Sequence, residues 1–159
     1  MQLKRPESVL VIIRDLNEQV LIMQRDDDAD FWQSVTGTVE EGEAPLVTAY
    51  RELLEETGIS LSKAQHPIVD CRRVNQYQIR SAWLYRYPEG TQFNNEYVFS
   101  IQVPVGLPIK LTEHTDYAWV TKSEAIERVW SKTNRDAIAD FVPDVQVANV
   151  SKTPLNPPS

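Results

Sequence analysis

Glu52, Glu55 and Glu56 stand at i, i+3 and i+4 of a helix-favouring segment, so their carboxylates share one helical face. Such a face concentrates hard oxygen ligands, which suit Mg²⁺, with Mn²⁺ as a substitute, and not a thiolate-bound metal. The crowding is otherwise unfavourable. Like charges at i, i+4 cost a few tenths of a kcal/mol, and anions in the last turns of a helix oppose its dipole by roughly 0.3–1 kcal/mol each. A bound cation would compensate that conflict. The plainer reading is a solvated acidic face, with Arg51 as an i, i+4 partner of Glu55.

The surrounding spacing goes beyond what a solvated helix needs. Gly37, Glu43, Arg51, Glu52, Leu53, Glu55, Glu56, Gly58 and Ile59 fill the pattern G-x5-E-x7-R-E-U-x-E-E-x-G-U, where U is a bulky aliphatic. At residue frequencies of a few per cent, nine specified positions coincide by chance on the order of once in 10⁹ windows. On these residues the chain resembles the Nudix hydrolases, enzymes that hydrolyse a nucleoside diphosphate linked to another group by attack of water on phosphorus. The resemblance implies metal coordination by Glu52, Glu55 and Glu56, with the Gly37 carbonyl as a further ligand. It also implies a catalytic set of Glu52, Arg51 and Glu55, in which Glu52 is the first candidate for general base and Arg51 orients the glutamates. One more carboxylate is expected from a loop across the site; Glu113 is the choice and Glu96 the competitor. His114 fits either proton transfer or a structural hydrogen bond.

Outside this box, Lys4-Arg5-Pro6, Leu21-Ile-Met-Gln-Arg25, Asp30-Phe-Trp-Gln-Ser-Val-Thr36, Asp70-Cys71, Thr112-Glu-His114, Trp130-Ser-Lys132 and Asn134-Arg135 carry a narrower likeness from about residue 4 to residue 142. They resemble the bacterial branch of the family that removes pyrophosphate from 7,8-dihydroneopterin triphosphate in folate biosynthesis, leaving the monophosphate. From Ser60 to Pro104 the match is one of pattern only. The resemblance implies substrate contacts at Lys4, Arg25, Thr36, the Tyr77 to Arg80 segment and Ser131. Lys4 and Arg25 suit phosphate, and Tyr77 suits stacking on a flat heterocycle; the plainer roles are solvated cations and core packing. Trp32 is expected to pack beneath the Gly37 loop, with pterin stacking as the alternative. The expected activity is therefore Mg²⁺-dependent hydrolysis of dihydroneopterin triphosphate. A (d)NTP pyrophosphohydrolase is the nearest alternative, and a non-catalytic nucleotide-binding regulator the second; the intact box argues against the latter.

These residues need elements to hold them. Leu46, Ala49, Tyr50, Leu53 and Leu54 follow the spacing of a helix face, Pro45 suits the first turn and Gly58 the C-terminal cap. Ser8 to Ile13 and Val20 to Arg25 read as strands joined by a polar turn, and Phe31 to Thr36 as an extended lead into Gly37. Alternating apolar residues predict long antiparallel strands over Gln76 to Tyr87 and Tyr97 to Val103, and a short strand over Tyr117 to Val120. A helix is expected from Ser123, as its N-cap, through Trp130 and on to Phe141. Family resemblance, not periodicity, supplies the topology: a Nudix α/β/α sandwich around a central mixed β-sheet.

The 159 residues are enough for one core, so a single domain is expected over 1–142, followed by a Pro-rich tail over 143–159 that is partly disordered. One cysteine, Cys71, excludes an internal disulfide, and no Cys/His cluster has zinc spacing. With no signal peptide or long apolar run, the expected setting is cytoplasmic, with no membrane partner. A formal charge of −7 argues against a nucleic-acid polymer and for a small-molecule triphosphate, whose charge must be met by local cations. The segment from 71 to 88 supplies Arg72, Arg73, Arg80 and Arg86 without an acid.

Overall fold

The computed structural model describes residues 3–145. Its spine is strand β1 (Glu7–Asp15), which is parallel to β6 (Phe93–Val103) and hairpins at its far end into β2 (Val20–Arg25). β4 (Val35–Thr38) pairs antiparallel with the first half of β1, bringing Thr38 opposite Ser8 and Gly37 opposite Val9. β3 (Trp32–Gln33) and β7 (His114–Val120) flank β2, and β5 (Val69–Gln78) closes the other side by pairing with β6. The result is a seven-stranded mixed sheet.

β1 is buried on both faces, which is why its sequence is a nearly continuous apolar run. Val9, Val11 and Ile13 point to one core with Ala49 and Leu53 of α1 (Pro45–Thr57). Leu10 and Ile12 point to a second core with Ala125 of α2 (Lys122–Arg128) and Ala137 and Ile138 of α3 (Lys132–Phe141). One helix therefore covers one face and two cover the other, the Nudix sandwich expected from the resemblance.

Helix α1 starts at Pro45 and ends where Gly58, at φ 77°, donates its N–H to Leu54 O. Its buried face differs from the expected stripe. Ala49 and Leu53 are buried, but Leu46 and Leu54 are 43% and 52% exposed, and Thr48, Glu56 and Thr57 are buried instead. The polar substitutes are compensated locally: the Thr57 hydroxyl donates to Leu53 O at 2.6 Å, and that of Thr48 to Glu43 at 2.7 Å. The helix is thus rotated so that the Glu52 and Glu56 row turns toward β4.

Two other expected elements are corrected. The strand expected over 76–87 runs instead from Val69 to Gln78, and Ser81–Arg86 forms a 3₁₀ helix. There, tertiary packing overrides the alternating pattern: Trp83 meets Phe31 edge-on at 6.4 Å and Trp130 at 5.5 Å. The helix expected from Ser123 to Phe141 is two helices. Thr121, not Ser123, caps α2 by accepting from the Glu124 N–H, and Ser131 caps α3. Between them Val129 is extended and forms a bridge with Trp32, while Trp130 N–H donates to Trp32 O. Pairing with β3 thus takes the backbone groups that a continuous helix would use. The expected tail lies outside the described residues from 146 onward. Among the described residues no helix is long and apolar enough to cross a membrane.

Candidate active site

Arg51 organises the acidic end of the site. Its guanidinium makes a two-pronged pair with Glu43, Nε to Oε2 at 2.8 Å and Nη2 to Oε1 at 2.9 Å, and also donates to Thr38 O at 3.0 Å. Nη1 reaches Glu52 at 3.1 Å and Glu55 at 3.3 Å. The same guanidinium thus makes both the contact with Glu52 that an orienting role would need and the i, i+4 pair with Glu55. Glu43 is the anchor: Arg51 first, then Thr48 and the Glu40 N–H, hold its carboxyl down at about 2.

Glu52 and Glu56 meet under the β4 backbone. Burial first raises the Glu52 carboxyl, and burial together with the adjacent Glu52 raises Glu56 well above the ordinary range. Glu56 is 4% exposed, and its Oε1 is buried without a partner. A Cβ built on Gly37 would fall inside the Glu52 carboxyl group, so the glycine is needed for close approach, not for an unusual φ. Gly37→Ala is accordingly expected to push Glu52 out of place and lower kcat roughly 10-fold, with the fold intact by circular dichroism. Unchanged turnover would mean that the position of Glu52 is not critical.

Glu113 comes to this end by way of α1. The loop before β7 caps the helix C-terminus: Lys110 N–H donates to Thr57 O at 2.8 Å, and the Thr112 hydroxyl to Glu55 O at 2.8 Å. The charge of Glu113 then acts on Glu56 and Lys4. Glu96 instead accepts from Asn75 Nδ2 at 3.2 Å, on the sheet face opposite α1. Among the described residues no three acidic, histidine or cysteine side chains already converge as a metal cage. Glu52 and Glu55 are both drawn to Arg51. A buried unpartnered carboxylate oxygen, beside a second carboxyl and a glycine backbone, nevertheless matches the donor chemistry of a hard divalent cation.

All of the expected substrate residues, Lys4, Arg25, Thr36, Tyr77, Arg80 and Ser131, line one cavity of about 610 Å³ together with Gly37, Glu52, Glu55, Glu56 and Glu113. Lys4 is tied by its N–H to Arg86 O, and packing, then the Arg86 and Arg25 cations, push its ammonium down. Arg25 is pre-oriented by Asp27, which takes its Nε at 2.8 Å. Thr36 gives its hydroxyl to Val9 O. The Tyr77 hydroxyl accepts from Asn94, and burial pushes the phenol up to about 12, so the ring is a fixed wall. Of the basic segment, Arg80 and Arg86 reach the cavity. Arg73 is drawn off by Asp140 at 2.7 Å, and Arg72 sits exposed in a bulge at φ 57°. Trp32 faces away, beneath Arg128, and packs in the α2–α3 core. His114 lies within 3.3 Å of Gln33, and burial lowers its imidazole, which favours the neutral form.

Two groups of cavity residues escaped the sequence. The mouth carries Trp83 and Trp130 beside Phe31, which stacks on Trp130 at 4.8 Å, with the Arg80 guanidinium 5.2–5.5 Å from all three rings. The aromatic spacing was visible, but it fitted a strand. The floor is polar: Ser8, Asn94 and Glu96 from the sheet, and Ser34 with Asn134, whose side chain bonds both the Ser34 N–H and hydroxyl at 2.9 Å. Buried Asn94 and Glu96 alternate on β6, a signal that an apolar-periodicity reading passes over.

Comparison with known proteins agrees with this geometry. A model of the NUDIX domain matches residues 4–144. The chain is 42% identical over 140 residues to dihydroneopterin triphosphate diphosphatase of Escherichia coli K12, covering 87% of this chain and 93% of that protein. It is 39% identical over 144 residues to the protein of the same name from Haemophilus influenzae, covering 89% and 90%. Its fold matches the solved structure of the E. coli dihydroneopterin triphosphate pyrophosphohydrolase with a TM-score of 0.84 at 41% identity, over 89% of this chain and 98% of that one. A Listeria monocytogenes Nudix structure at 23% identity, TM-score 0.73, shares the fold.

Proposed function

The chain belongs to the Nudix family and is a hydrolase of that family, and from this premise we propose that it hydrolyses 7,8-dihydroneopterin triphosphate to the monophosphate and pyrophosphate. The supporting observation is one cavity with an acidic cluster at one end, cations at its rim and a polar floor large enough for a bicyclic ring. It is a cytoplasmic reading, with a small-molecule substrate and neither membrane nor nucleic-acid polymer as partner.

Glu52, Glu55, Glu56 and Glu113, with the Gly37 carbonyl, would hold Mg²⁺ or Mn²⁺, which supplies charge neutralisation at the phosphates and activation of water. Lys4, Arg25 and Arg86 bind and orient the triphosphate. Glu52 takes the proton of the attacking water as a new O–P bond forms and the phosphoanhydride bond breaks, releasing pyrophosphate with the electron pair of that bond. Arg51, fixed by Glu43, keeps the Glu52 carboxylate aimed.

The test is kcat/KM for dihydroneopterin triphosphate against the common nucleoside triphosphates, with and without Mg²⁺. The pterin triphosphate is expected to be the preferred substrate, with turnover abolished by chelator; a preference for any nucleotide overturns the assignment. Glu113→Ala is expected to lower kcat roughly 10-fold while leaving metal-free stability nearly unchanged, as for an exposed loop position. Mg²⁺ with a substrate analogue should slow hydrogen exchange over residues 111–116 in the parent and not in the variant. Equal turnover would remove Glu113 from the site.

A further inference from the structure

We propose that Glu96, with Asn94, reads the heterocycle of the substrate by accepting the paired N–H donors of a 2-amino-4-oxopyrimidine edge. This deepens the pterin reading above and rests on it. The carboxylate lies on the cavity floor, 5% exposed, and it comes from β6, across the sheet from α1. Asn75 satisfies part of its accepting capacity. Among the described residues it makes no ion pair, and although burial raises its carboxyl, in its ionised form it is a buried, acceptor-only group facing the cavity.

Asn94, two residues earlier on the same face of β6, extends the pattern. Its amide N–H groups are spent on the Ser8 hydroxyl at 2.7 Å and the Tyr77 hydroxyl at 3.1 Å, which leaves its carbonyl buried, lining the same cavity and without a partner. The floor thus offers acceptors and keeps its amide donors occupied. A pterin presents a ring N–H next to an exocyclic amino group, and guanine presents the same edge. Adenine and cytosine put an acceptor beside their amino group, and thymine flanks its N–H with carbonyls, so each meets this floor with an acceptor facing an acceptor. Discrimination of this kind arises mainly from the cost of leaving a buried acceptor unpaired.

Glu96→Gln keeps the shape and replaces one acceptor by a donor. Steady-state kinetics with dihydroneopterin triphosphate, dGTP, dATP and dCTP, at matched Mg²⁺, read the result. We expect kcat/KM for the pterin triphosphate and dGTP to fall at least about 10-fold, the loss for a hydrogen bond to a charged group, while dATP and dCTP are unchanged or improved. The Mg²⁺ titration should overlay that of the parent. An equal fall for all four overturns the proposal: with a shifted Mg²⁺ titration Glu96 is a metal ligand, and with a lowered melting temperature it is structural. Asn94→Asp, which retains an acceptor, should keep the rank order of substrates; a reversed order also counts against the proposal. The pterin assignment fails separately, if the parent prefers a nucleotide.

Discussion

Glu52→Gln is expected to fold like the parent and to lose at least about 10²-fold in kcat. The amide is nearly isosteric and can keep the contact with Arg51, which holds the parent carboxylate at 3.1 Å. It cannot take a proton from water, and it binds a hard cation far less well than a carboxylate does. The neighbouring groups define what the loss means. Gly37 permits the approach of Glu52 to β4, and Glu43 fixes Arg51 with a carboxyl held at about 2, ionised throughout the working range. A variant with both contacts intact therefore differs from the parent in protonation chemistry and ligand strength alone. Measured at saturating substrate, a rate within twofold of the parent would remove Glu52 from the mechanism.

How much of this could be read from the chain differs by residue. The box and its helix were legible because Pro45, Gly58 and the acidic spacing are local signals, and all lie within 22 residues of Gly37. The rotation of α1 was not, because Thr48 and Thr57 are buried through hydrogen bonds that hydropathy does not register. β1 and β2 were legible as apolar runs between polar turns. The 81–86 segment was misread because Trp83 and Tyr85 alternate like a strand, while the decisive contacts come from Phe31 and Trp130, about 50 residues away on either side. The break at Val129–Ser131 likewise depends on pairing with Trp32. At the site, resemblance gave the cations at the rim, but not the polar floor.

Glu56→Gln is expected to reduce turnover as severely as Glu52→Gln and to change the pH dependence of stability in the opposite sense from a lost salt bridge. Burial, and then Glu52, raise the Glu56 carboxyl well above its unfolded value. For an acid raised in this way the folded state binds the proton more tightly than the unfolded state does. Its contribution to stability is therefore complete below the unfolded value, near pH 4.5, and is lost as pH rises through the folded value. In chelator, the parent should melt progressively lower from about pH 5 upward, because ionising Glu56 beside Glu52 buries an unpaired charge. Mg²⁺ binds the ionised pair, so the melting temperature gained from Mg²⁺ should grow with pH. Glu56→Gln removes the ionisation at its most buried point. Its melting curve in chelator should flatten with pH and lie above the parent at pH 8 by several degrees, about 2–4 °C per kcal/mol for a domain of this size. The stabilisation by Mg²⁺ should shrink at the same time. Thermal scans from pH 5 to 8, with chelator and with Mg²⁺, decide it: if the variant's curves run parallel to the parent's under both conditions, Glu56 is neither the titrating group nor a ligand. A gain in apo stability together with a loss of turnover would show that the buried carboxylate pair is retained for chemistry at the expense of the fold.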